Sequence, residues 1–349
     1  MKNILVTGGT GFIGSHTCVC LLENDYFVTV IDSLINSKKN VINNIKKINP
    51  VEPDIFDKRF NFFRGDIRDE KLLNEIFQFY KINNNPISAV IHFAGLKSVK
   101  ESMQNPIKYS EFNVGGSKSL FNVMKRHKCK NIVFSSSAMV YKGGNIPLNE
   151  NSELKPNNPY GENKLEIENI LYKYFLSDCT DWKIINLRYF NPIGAHYSGL
   201  IGENPNAKEN NLFPVINDVA LGGKDFLTIY GNDWPTHDGT CLRDYIHVMD
   251  LADGHIAALE HLEHNKSQIL NMNLGTGKGT SVLELINIFE QVNNVKIDYE
   301  FTKRRKGDNA IVIADNSKAD SLLNWQPKRS IYEMCKDGWN WQLKNIDGY

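Results

Sequence analysis

One tyrosine and one lysine have the residue types and the spacing for proton transfer at neutral pH. Tyr160 and Lys164 are four positions apart, which places both side chains on one face if the segment is helical. A free tyrosine has a pKa near ~10, and a neighbouring ammonium stabilises the phenolate and lowers that value. Ser137 ends a serine cluster and could hydrogen-bond the same oxygen. This set predicts a catalytic base that takes a hydroxyl proton while hydride leaves the same carbon.

Two other Tyr-x-x-x-Lys pairs show that the spacing alone is weak evidence. Tyr299 with Lys303 and Tyr332 with Lys336 have no serine cluster before them and fall in the last third of the chain. We interpret them as exposed helix or strand residues. The catalytic assignment therefore stays with the first pair.

A glycine-rich turn near the start of the chain has the spacing of a dinucleotide-binding loop. Gly8, Gly11 and Gly14 follow a short apolar run and open a predicted helix. Glycine permits the tight turn and lets backbone N–H groups approach a pyrophosphate at the helix N-terminus. Asp32 lies 18 residues beyond Gly14, near the spacing at which a carboxylate meets the adenosine ribose hydroxyls. A carboxylate there would repel a 2′-phosphate, so we predict NAD, although two nearby lysines keep NADP open.

Short apolar runs alternate with helical patterns over the first two-thirds of the chain, which is typical of parallel βαβ units. The pattern predicts strands over residues 4–7, 27–32, 61–63, 89–93, 131–135 and 183–188. It predicts helices over residues 12–23, 69–80, 107–127 and 160–175. We expect the strand at 183–188 to close the series. Residues 35–58, rich in Asn, Lys and Pro, are expected to be an irregular surface excursion.

These elements predict an α/β fold: a Rossmann-type doubly wound parallel sheet with a smaller C-terminal substrate-binding lobe. We assign residues 1–190 to the NAD-binding domain. A strand–helix pattern near 245–262 indicates that the segment of about 241–272 returns to that domain. The lobe then comprises residues 191–240 and 273–349.

The charge balance limits the possible partners. Lys+Arg and Asp+Glu each total 40, so no bulk basic field would attract nucleic acid or an anionic membrane. Six scattered cysteines without a Cys-x-x-Cys predict neither a metal site nor a disulfide framework. His261 and His264 lie one helical turn apart but lack further ligands, so we predict no metal. No run approaches the roughly 20 apolar residues of a spanning helix, and we expect a cytoplasmic protein.

Arginines in the last third of the chain are candidates for an anion site. Arg243 stands in Cys-Leu-Arg-Asp-Tyr, and Arg304 with Arg305 forms a basic pair in a neutral chain. The planar guanidinium suits bidentate contacts to a diphosphate. A salt bridge between Arg243 and Asp244 is an equally good interpretation of the spacing alone.

The glycine turn, the serine cluster and the Tyr160–Lys164 pair together resemble the extended short-chain dehydrogenase/reductase superfamily. Within it, nearly the full chain resembles the UDP-glucose (UDP-galactose) 4-epimerase family. The segments that carry this resemblance are VTGGTGFIGSHT (6–17), GDIRDE (65–70), VIHFAGLKSVKES (90–102), FSSSAMVY (134–141), LRYFNPIGAH (187–196), RDYIHVMDLADGH (243–255) and WNWQ (339–342). The resemblance implies reversible C4 epimerisation of a UDP-hexose through a 4-keto intermediate, tightly bound NAD, and a homodimer paired through the helices near 107–127 and 160–175.

The resemblance also implies the residues of two binding sites. Besides Gly8, Gly11, Gly14, Ser137, Tyr160 and Lys164, the cofactor contacts would be Phe12, Ile13, Asp32, Asn36, Ser37, Asp66, Ile67, Phe93, Ala94, Gly95, Lys97, Asn113 and Phe190. Besides Lys97, Ser137 and Tyr160, the substrate contacts would be Asn191, Asn211, Leu212, Thr228, Tyr230, Arg243, Arg305, Asp308 and Val312.

Three positions depart from the pattern of that family: Lys142 replaces a turn glycine, and the other two bear on the substrate. Met139 stands where the family has a threonine, so the contact of that hydroxyl to the sugar or to Tyr160 is lost. Val312 aligns with a tyrosine that restricts some members to unsubstituted hexoses. A smaller side chain would leave room beside C2 of the sugar, so we hypothesise that UDP-N-acetylglucosamine and UDP-N-acetylgalactosamine are also accepted. The alternative is that Val312 packs against its neighbours and the space is filled.

Other functions fit the same scaffold less well. A 4,6-dehydratase needs an additional acid and base, typically an Asp-Glu pair after the serine or threonine, and Ala138-Met139 stands there instead. A decarboxylase or a net dehydrogenase stays open. A non-enzymatic NAD-binding protein would keep the glycine turn but would not need Tyr160, Lys164 and Ser137 together.

Overall fold

A computed structural model describes residues 1–50, 52–143, 147–178, 181–204, 211–305 and 307–349. The strands are β1 (Asn3–Thr7), β2 (Phe27–Asp32), β3 (Phe60–Arg64), β4 (Ile87–His92), β5 (Asn131–Ser137), β6 (Lys183–Tyr189), β7 (Asn191–Ile193), β8 (Leu227–Tyr230), β9 (Leu242–Arg243), β10 (Tyr245–His247), β11 (Gln268–Leu274), β12 (Thr280–Ser281), β13 (Tyr299–Thr302) and β14 (Ile311–Val312).

The α-helices alternate with these strands along the chain. They are α1 (Phe12–Glu23), α2 (Val41–Ile48), α3 (Pro53–Arg59), α4 (Glu70–Ile82), α5 (Val99–Gln104), α6 (Pro106–Tyr109), α7 (Gly116–Arg126), α8 (Pro159–Ser177), α9 (Leu212–Ala220), α10 (Val248–His264), α11 (Val282–Asn293), α12 (Ser317–Leu323) and α13 (Ile331–Lys344).

The main sheet has seven parallel strands in the order β11-β6-β5-β4-β1-β2-β3. The strand order reverses between β1 and β4, and a doubly wound sheet binds its ligand at that point, beyond the carboxyl ends of the strands. Two apolar clusters cover the two faces of the sheet, one including α1 and α10 and the other including α4, α7 and α8. The predicted fold class, a doubly wound parallel sheet of the Rossmann type, is confirmed.

The sheet extends one strand beyond the predicted end of the series. Residues Gln268–Leu274 pair with Lys183–Tyr189 along their full length. The expectation that residues 183–188 close the series was therefore wrong. The partner strand comes from a segment 85 residues further along the chain (Gln268 pairs with Lys183), and local periodicity carries no information about such a pairing.

Residues 35–58 are more regular than expected, because α2 and α3 lie within them. Val41 and Ile45 have no exposed surface, and both pack in the cluster that includes α1 and β2. Their spacing of four residues places them on one face of a helix. Asn43 and Lys47 of the same helix are exposed, and this polar composition made the segment resemble a loop.

The predicted helix at 107–127 is interrupted. A π-helical segment at Ser110–Gly115 separates α6 from α7. A π-turn widens the helix by one residue and shifts the side chains that follow. Here Asn113, which is only 2 % exposed, exchanges two hydrogen bonds with the backbone of Leu96 (Oδ1 accepts at 2.7 Å and Nδ2 donates at 3.0 Å).

A third apolar cluster forms the core of the C-terminal part of the chain. It joins α9, α11 and α13 through Phe213, Phe289 and Trp339, whose rings meet edge to face at 5.6–5.9 Å. The exact division into residues 1–190 with 241–272, and 191–240 with 273–349, stays a prediction. Within the described parts of the chain, none of the helices combines the length and the apolar character needed to cross a bilayer.

Candidate active site

A cavity of about 950 Å³ lies beyond the carboxyl ends of the central strands, between the main sheet and the third apolar cluster. The predicted cofactor residues on its wall are Gly8, Gly11, Phe12, Ile13, Gly14, Asp32, Asn36, Ser37, Asp66, Ile67, Phe93, Ala94, Gly95, Lys97, Ser137, Tyr160, Lys164 and Phe190. The predicted substrate residues on its wall are Lys97, Ser137, Tyr160, Asn191, Asn211, Leu212, Thr228, Tyr230, Arg243, Arg305 and Asp308.

The glycine turn leaves backbone close to the cavity with no side chains in the way. Gly8 has φ +72°, which favours glycine, and its carbonyl accepts from Gly11 N at 3.1 Å. A Cβ on Gly14 would lie 2.3 Å from the Gly8 oxygen. Helix α1 begins at Phe12, so the unpaired N–H groups of its first turn border the cavity. This cradle fits the pyrophosphate of a dinucleotide.

Asp32 is fixed at the end of β2 by three donors. Its Oδ2 accepts from Thr10 N at 3.1 Å, and its Oδ1 accepts from Leu34 N at 2.9 Å and from Ser37 Oγ at 3.0 Å. Asp32 as a residue is 6 % exposed, and it borders the cavity. Its position at the second strand suits hydrogen bonds to ribose hydroxyls.

Asp66 and Ile67 border the same end of the cavity. Arg68 binds the Asp66 carboxylate with two nitrogens, Nε at 3.0 Å and a terminal nitrogen at 2.8 Å. Burial raises the pKa of Asp66, but the Arg68 hydrogen bonds outweigh it and the net pKa lies below the usual value. The guanidinium also lies 3.5 Å from the centre of the Phe112 ring. Phe112, which borders the cavity, was missed because the π-helical segment that places it leaves no signal in the sequence.

Helix α8 brings the predicted base to the cavity. Asn158 caps it, its Oδ1 accepting from Gly161 N at 2.9 Å. A Cβ on Gly161 would lie 2.5 Å from the Met139 carbonyl oxygen, so glycine is needed where the helix start meets the serine strand, as we call β5 with its terminal Ser135–Ser137. Met139 itself is 38 % exposed and is not among the residues that border the cavity.

Tyr160, Lys164 and Ser137 all border the cavity. Lys164 Nζ donates to the carbonyl oxygen of Ser135 at 2.5 Å and lies 5.7 Å from the centre of the Tyr160 ring. Ser137 Oγ accepts from Met139 N at 3.2 Å. The three side chains therefore meet at the carboxyl end of β5, next to the strand-order reversal.

Burial dominates the ionisation of this group. It raises the pKa of Tyr160, while a hydrogen bond from Ser137 and the charge of Lys97 act in the opposite direction. It lowers the pKa of Lys164 to about 8, against the charge of Glu168. The sequence predicted that Lys164 lowers the pKa of Tyr160. In the protein alone the loss of hydration outweighs the favourable partners, so a lowered pKa of Tyr160 stays a prediction for the complex with NAD, whose positively charged nicotinamide ring would add a second cation beside the phenol.

Lys97 reaches the cavity from the loop after β4. Its Nζ donates to Glu203 Oε1 at 3.0 Å, across 106 residues of sequence. The Glu203 side chain is 14 % exposed and borders the cavity too. Glu203 was missed, since nothing near it in the sequence marks it as the partner of a lysine.

The far end of the cavity carries the predicted arginines. Arg243 donates to the carbonyl oxygens of Leu242 and Asn309, both at 2.9 Å. The alternative salt bridge is not formed, because Asp244 accepts instead from the backbone N–H groups of Thr276, Gly277 and Ala314.

The two neighbouring arginines differ in environment. Arg305 stacks over the Tyr230 ring at 4.1 Å and borders the cavity. Arg304 instead pairs with Asp233 at 2.7 Å and stacks over Trp234. Two cavity arginines beside an aromatic ring form an arrangement that can hold a nucleoside diphosphate.

Two predicted residues lie behind the wall rather than on it. Asn113 holds the Leu96 backbone through its paired hydrogen bonds, so it supports the loop instead of facing the cavity. Val312 packs against a small apolar cluster that includes Phe190. Both are one layer away from the space that a ligand would fill.

Known proteins share this sequence and this architecture. The family model described as "GDP-mannose 4,6 dehydratase" matches residues 5–338. The chain is 48 % identical over 349 residues to UDP-glucose 4-epimerase 2 of Arabidopsis thaliana, covering 100 % of this chain and 97 % of that protein.

Two solved structures agree with it in fold. A UDP-glucose-4-epimerase from Stenotrophomonas maltophila, with bound NAD and formylated UDP-arabinopyranose, superposes with a TM-score of 0.93 at 41 % identity and covers 99 % of this chain and 98 % of that one. A UDP-glucose 4-epimerase from Bifidobacterium longum in complex with NAD+ and UDP gives a TM-score of 0.91 at 41 % identity and covers 100 % of both chains.

The fold and the Tyr160–Lys164 site define an extended short-chain dehydrogenase/reductase, and within that superfamily the chain belongs to the UDP-glucose 4-epimerase family. The family resemblance predicted from the sequence segments is thereby confirmed.

The close contact at Gly14 gives a prediction for cofactor binding. Gly14→Ala would place a Cβ 2.3 Å from the Gly8 oxygen, forcing the turn apart and weakening NAD binding by at least about tenfold. The measurement is the NAD content of the purified protein together with its thermal unfolding. Gly115→Ala is the matched control, because its Cβ would meet only the Ser110 oxygen at 3.9 Å. Full NAD content in the Gly14 variant would contradict the assignment of this turn.

Proposed function

We propose that this protein reversibly inverts C4 of UDP-hexoses, UDP-glucose and UDP-galactose, with NAD held in the same cavity throughout turnover. The observation that carries the proposal is the continuity of one cavity. Its wall includes the glycine turn, the Tyr160–Lys164 pair and the arginines Arg243 and Arg305. Family membership, from relatives named UDP-glucose 4-epimerase, supports the same reaction.

The chemistry assigns one task to each side chain near the serine strand. NAD, held by the glycine turn and Asp32, would supply the hydride acceptor and donor for C4 of the sugar. Tyr160 takes the C4 hydroxyl proton as the hydride leaves and gives it back on the return step. Ser137 hydrogen-bonds the same oxygen, and the Lys164 ammonium stabilises the phenolate form of Tyr160.

The other end of the cavity explains how both faces of one sugar can be reached. Arg243 and Arg305 would hold the diphosphate, and Tyr230 would offer a ring face to uracil. Asn191, Asn211, Leu212, Thr228 and Asp308 would complete this grip. Because the binding contacts are made to the nucleotide, the hexose stays free to rotate and present its other face before the hydride returns.

The alternatives are not favoured by the residues at the site. Dehydration needs an additional acid and base beside the sugar, but Ala138 and Met139 follow Ser137. A non-enzymatic NAD-binding role gives no reason for a buried lysine beside a buried tyrosine.

The matched test of the catalytic base uses two tyrosines of α8. Tyr160→Phe removes the group that takes the proton, so kcat should fall by about 10²–10⁴ while the NAD content is unchanged. Tyr172→Phe, at a residue 50 % exposed, should leave kcat within about twofold. The assay follows conversion of UDP-galactose without added NAD. Turnover like wild type in the Tyr160 variant would refute its assignment as the base.

We also propose that N-acetylated UDP-hexoses are substrates. Val312 is smaller than a tyrosine and packs beside Phe190, which borders the cavity. A tyrosine in its place would need volume that the small cluster around Val140 and Ala314 does not offer, and would press towards the sugar.

Val312→Tyr should therefore lower kcat/KM for UDP-N-acetylglucosamine by more than about tenfold and change that for UDP-glucose little. Val312→Ala is the control and should keep both activities. Absence of acetamido-sugar turnover in the wild type would end this proposal, while the epimerisation of plain hexoses would stand.

A homodimer is the third part of the proposal. Helices α5 and α6 contact α8, and together they expose the apolar residues Met103 (61 %), Ile107 (75 %), Tyr172 (50 %) and Leu176 (59 %). Apolar surface gathered on one side of a molecule is typical of an interface. A second copy of the chain, using the same helices, would bury it by two-fold symmetry.

Ile107→Glu with Leu176→Glu should convert the protein to a monomer, because each charge would be buried at the contact. Sedimentation measures the mass, and Ile82→Glu, at a residue 68 % exposed on another helix, should leave it unchanged. A monomeric wild type would contradict the dimer.

The cytoplasmic location is proposed as well, since the buried cysteines are free thiols: Cys18, Cys20, Cys129, Cys241 and Cys335. Cell fractionation would check it.

A further inference from the structure

A buried ion pair lies directly behind the catalytic residues. Glu168 stands one helical turn beyond Lys164 on α8, so Tyr160, Lys164 and Glu168 share one face of the helix. The side chains of Glu168 and Arg188 are 6 % and 1 % exposed. Arg188 binds both carboxylate oxygens, Nε to Oε1 at 3.0 Å and a terminal nitrogen to Oε2 at 2.7 Å.

The same carboxylate holds the serine strand. Ser136 Oγ donates to Glu168 Oε1 at 2.5 Å. The carbonyl oxygen of Ser135, the residue before it, accepts from Lys164 Nζ. The residue after it is Ser137, whose hydroxyl borders the cavity beside Tyr160. Glu168 therefore fixes Ser136. Ser136 stands between Ser135, which binds Lys164, and Ser137, which borders the cavity, so both of these contacts depend on its position.

Arg188 extends this network across the sheet. Its other terminal nitrogen donates to Tyr141 OH at 3.0 Å, and Tyr141 OH donates to Asn273 Oδ1 at 2.7 Å. Asn273 lies on β11 and Arg188 on β6. The Glu168 carboxylate of α8 is thus held by groups on β5 and β6, so it ties the catalytic helix to the carboxyl ends of those strands.

We propose that Glu168 is a positioning residue of the catalytic group: its carboxylate fixes the strand end at Ser135–Ser137 against the helix that carries Tyr160 and Lys164, and its negative charge stands one turn beyond Lys164 on the same helix face. This inference rests on the proposed epimerase function and adds a residue that does not border the cavity.

The surroundings of Lys164 support the electrostatic part of the role. Its ammonium lies near the Tyr160 ring of its own helix, the Ser135 carbonyl of β5 and, at 5.0 Å, the Phe134 ring. Glu168 of the same helix interacts with it electrostatically. His92 of β4 interacts with it electrostatically, and burial lowers the pKa of His92 to about 3, so His92 is neutral.

Burial lowers the pKa of Lys164 to about 8, and Glu168 opposes that decrease. Removal of the carboxylate therefore lets Lys164 lose its proton at a lower pH. The phenolate of Tyr160 then loses a cation that stabilises it, and kcat falls on the basic side of its pH profile.

The experiment compares three variants as holoenzymes. Glu168→Gln keeps the size and an acceptor for Ser136 but leaves Arg188 unpaired, which can unfold the protein. The double variant Glu168→Met with Arg188→Met removes both charges together, and such replacements of buried pairs are often tolerated. Glu168→Asp keeps the charge.

In the double variant, the fall of kcat at high pH should begin about one pH unit lower than in wild type, and kcat should decrease about tenfold with KM within twofold. Glu168→Asp should restore the wild-type profile at least in part. Asp250→Asn is the control: it breaks the Asp250–Arg329 ion pair at 2.5 Å, whose carboxylate accepts from Lys328 and Arg329 and not from the serine cluster, and it should lower stability without moving the profile.

A folded double variant with the kcat and pH profile of wild type would overturn the proposal. So would a double variant that cannot be obtained folded, because the pair would then serve the fold alone. Wild-type turnover of UDP-galactose is measured in the same series. Its absence would count against the proposed function, whereas wild-type turnover with unchanged variant profiles counts against Glu168.

Discussion

A lysine ammonium removed from water is the constraint on which the site depends. Lys164 is 6 % exposed, and an unpaired cation at such a place is costly unless hydrogen bonds compensate for the lost hydration. The Ser135 carbonyl at the end of β5 provides one such bond. The carboxyl end of the strand and the first turns of α8 must therefore stay in register, and Tyr160 is placed by the same requirement.

The two sides of the cavity are suited to two different ligands, a dinucleotide and a second diphosphate. The sheet side is neutral backbone and small side chains around the glycine turn, shaped for close approach to a dinucleotide. The opposite side carries guanidinium groups, Arg243 and Arg305, that suit a second diphosphate. The formal net charge of the protein is +0. The anions are therefore attracted by the arginines and the helix N-terminus beside them, and not by the overall charge of the protein.

Sequence reasoning found the parts of the site whose geometry is local. The Gly8–Gly14 turn and the Tyr160–Lys164 pair depend on spacings of a few residues within one turn or helix, so their placement follows from the chain itself. Asn113 and Val312 could not be placed on the wall or behind it, because that depends on the π-helical segment and on packing against Phe190. Contacts between distant segments, such as Lys97 with Glu203, leave no local pattern.

For the fold and the electrostatics too, local features could be predicted from the sequence and features that depend on distant contacts could not. Alternating strands and helices predicted the parallel sheet, yet the pairing of β11 with β6 joins segments too far apart for periodicity to indicate. The ionisation of Tyr160 was also beyond the sequence, because the extent of burial decides it.

The central claim is that the C4 hydrogen passes between sugar and cofactor inside the cavity while only the hydroxyl proton passes through Tyr160. Epimerisation of UDP-galactose in deuterium oxide, followed by proton NMR of the product, tests this directly. The account predicts UDP-glucose that keeps its protium at C4, formed without added NAD. Deuterium at C4 of the product would contradict it, since that hydrogen would then have exchanged with the solvent.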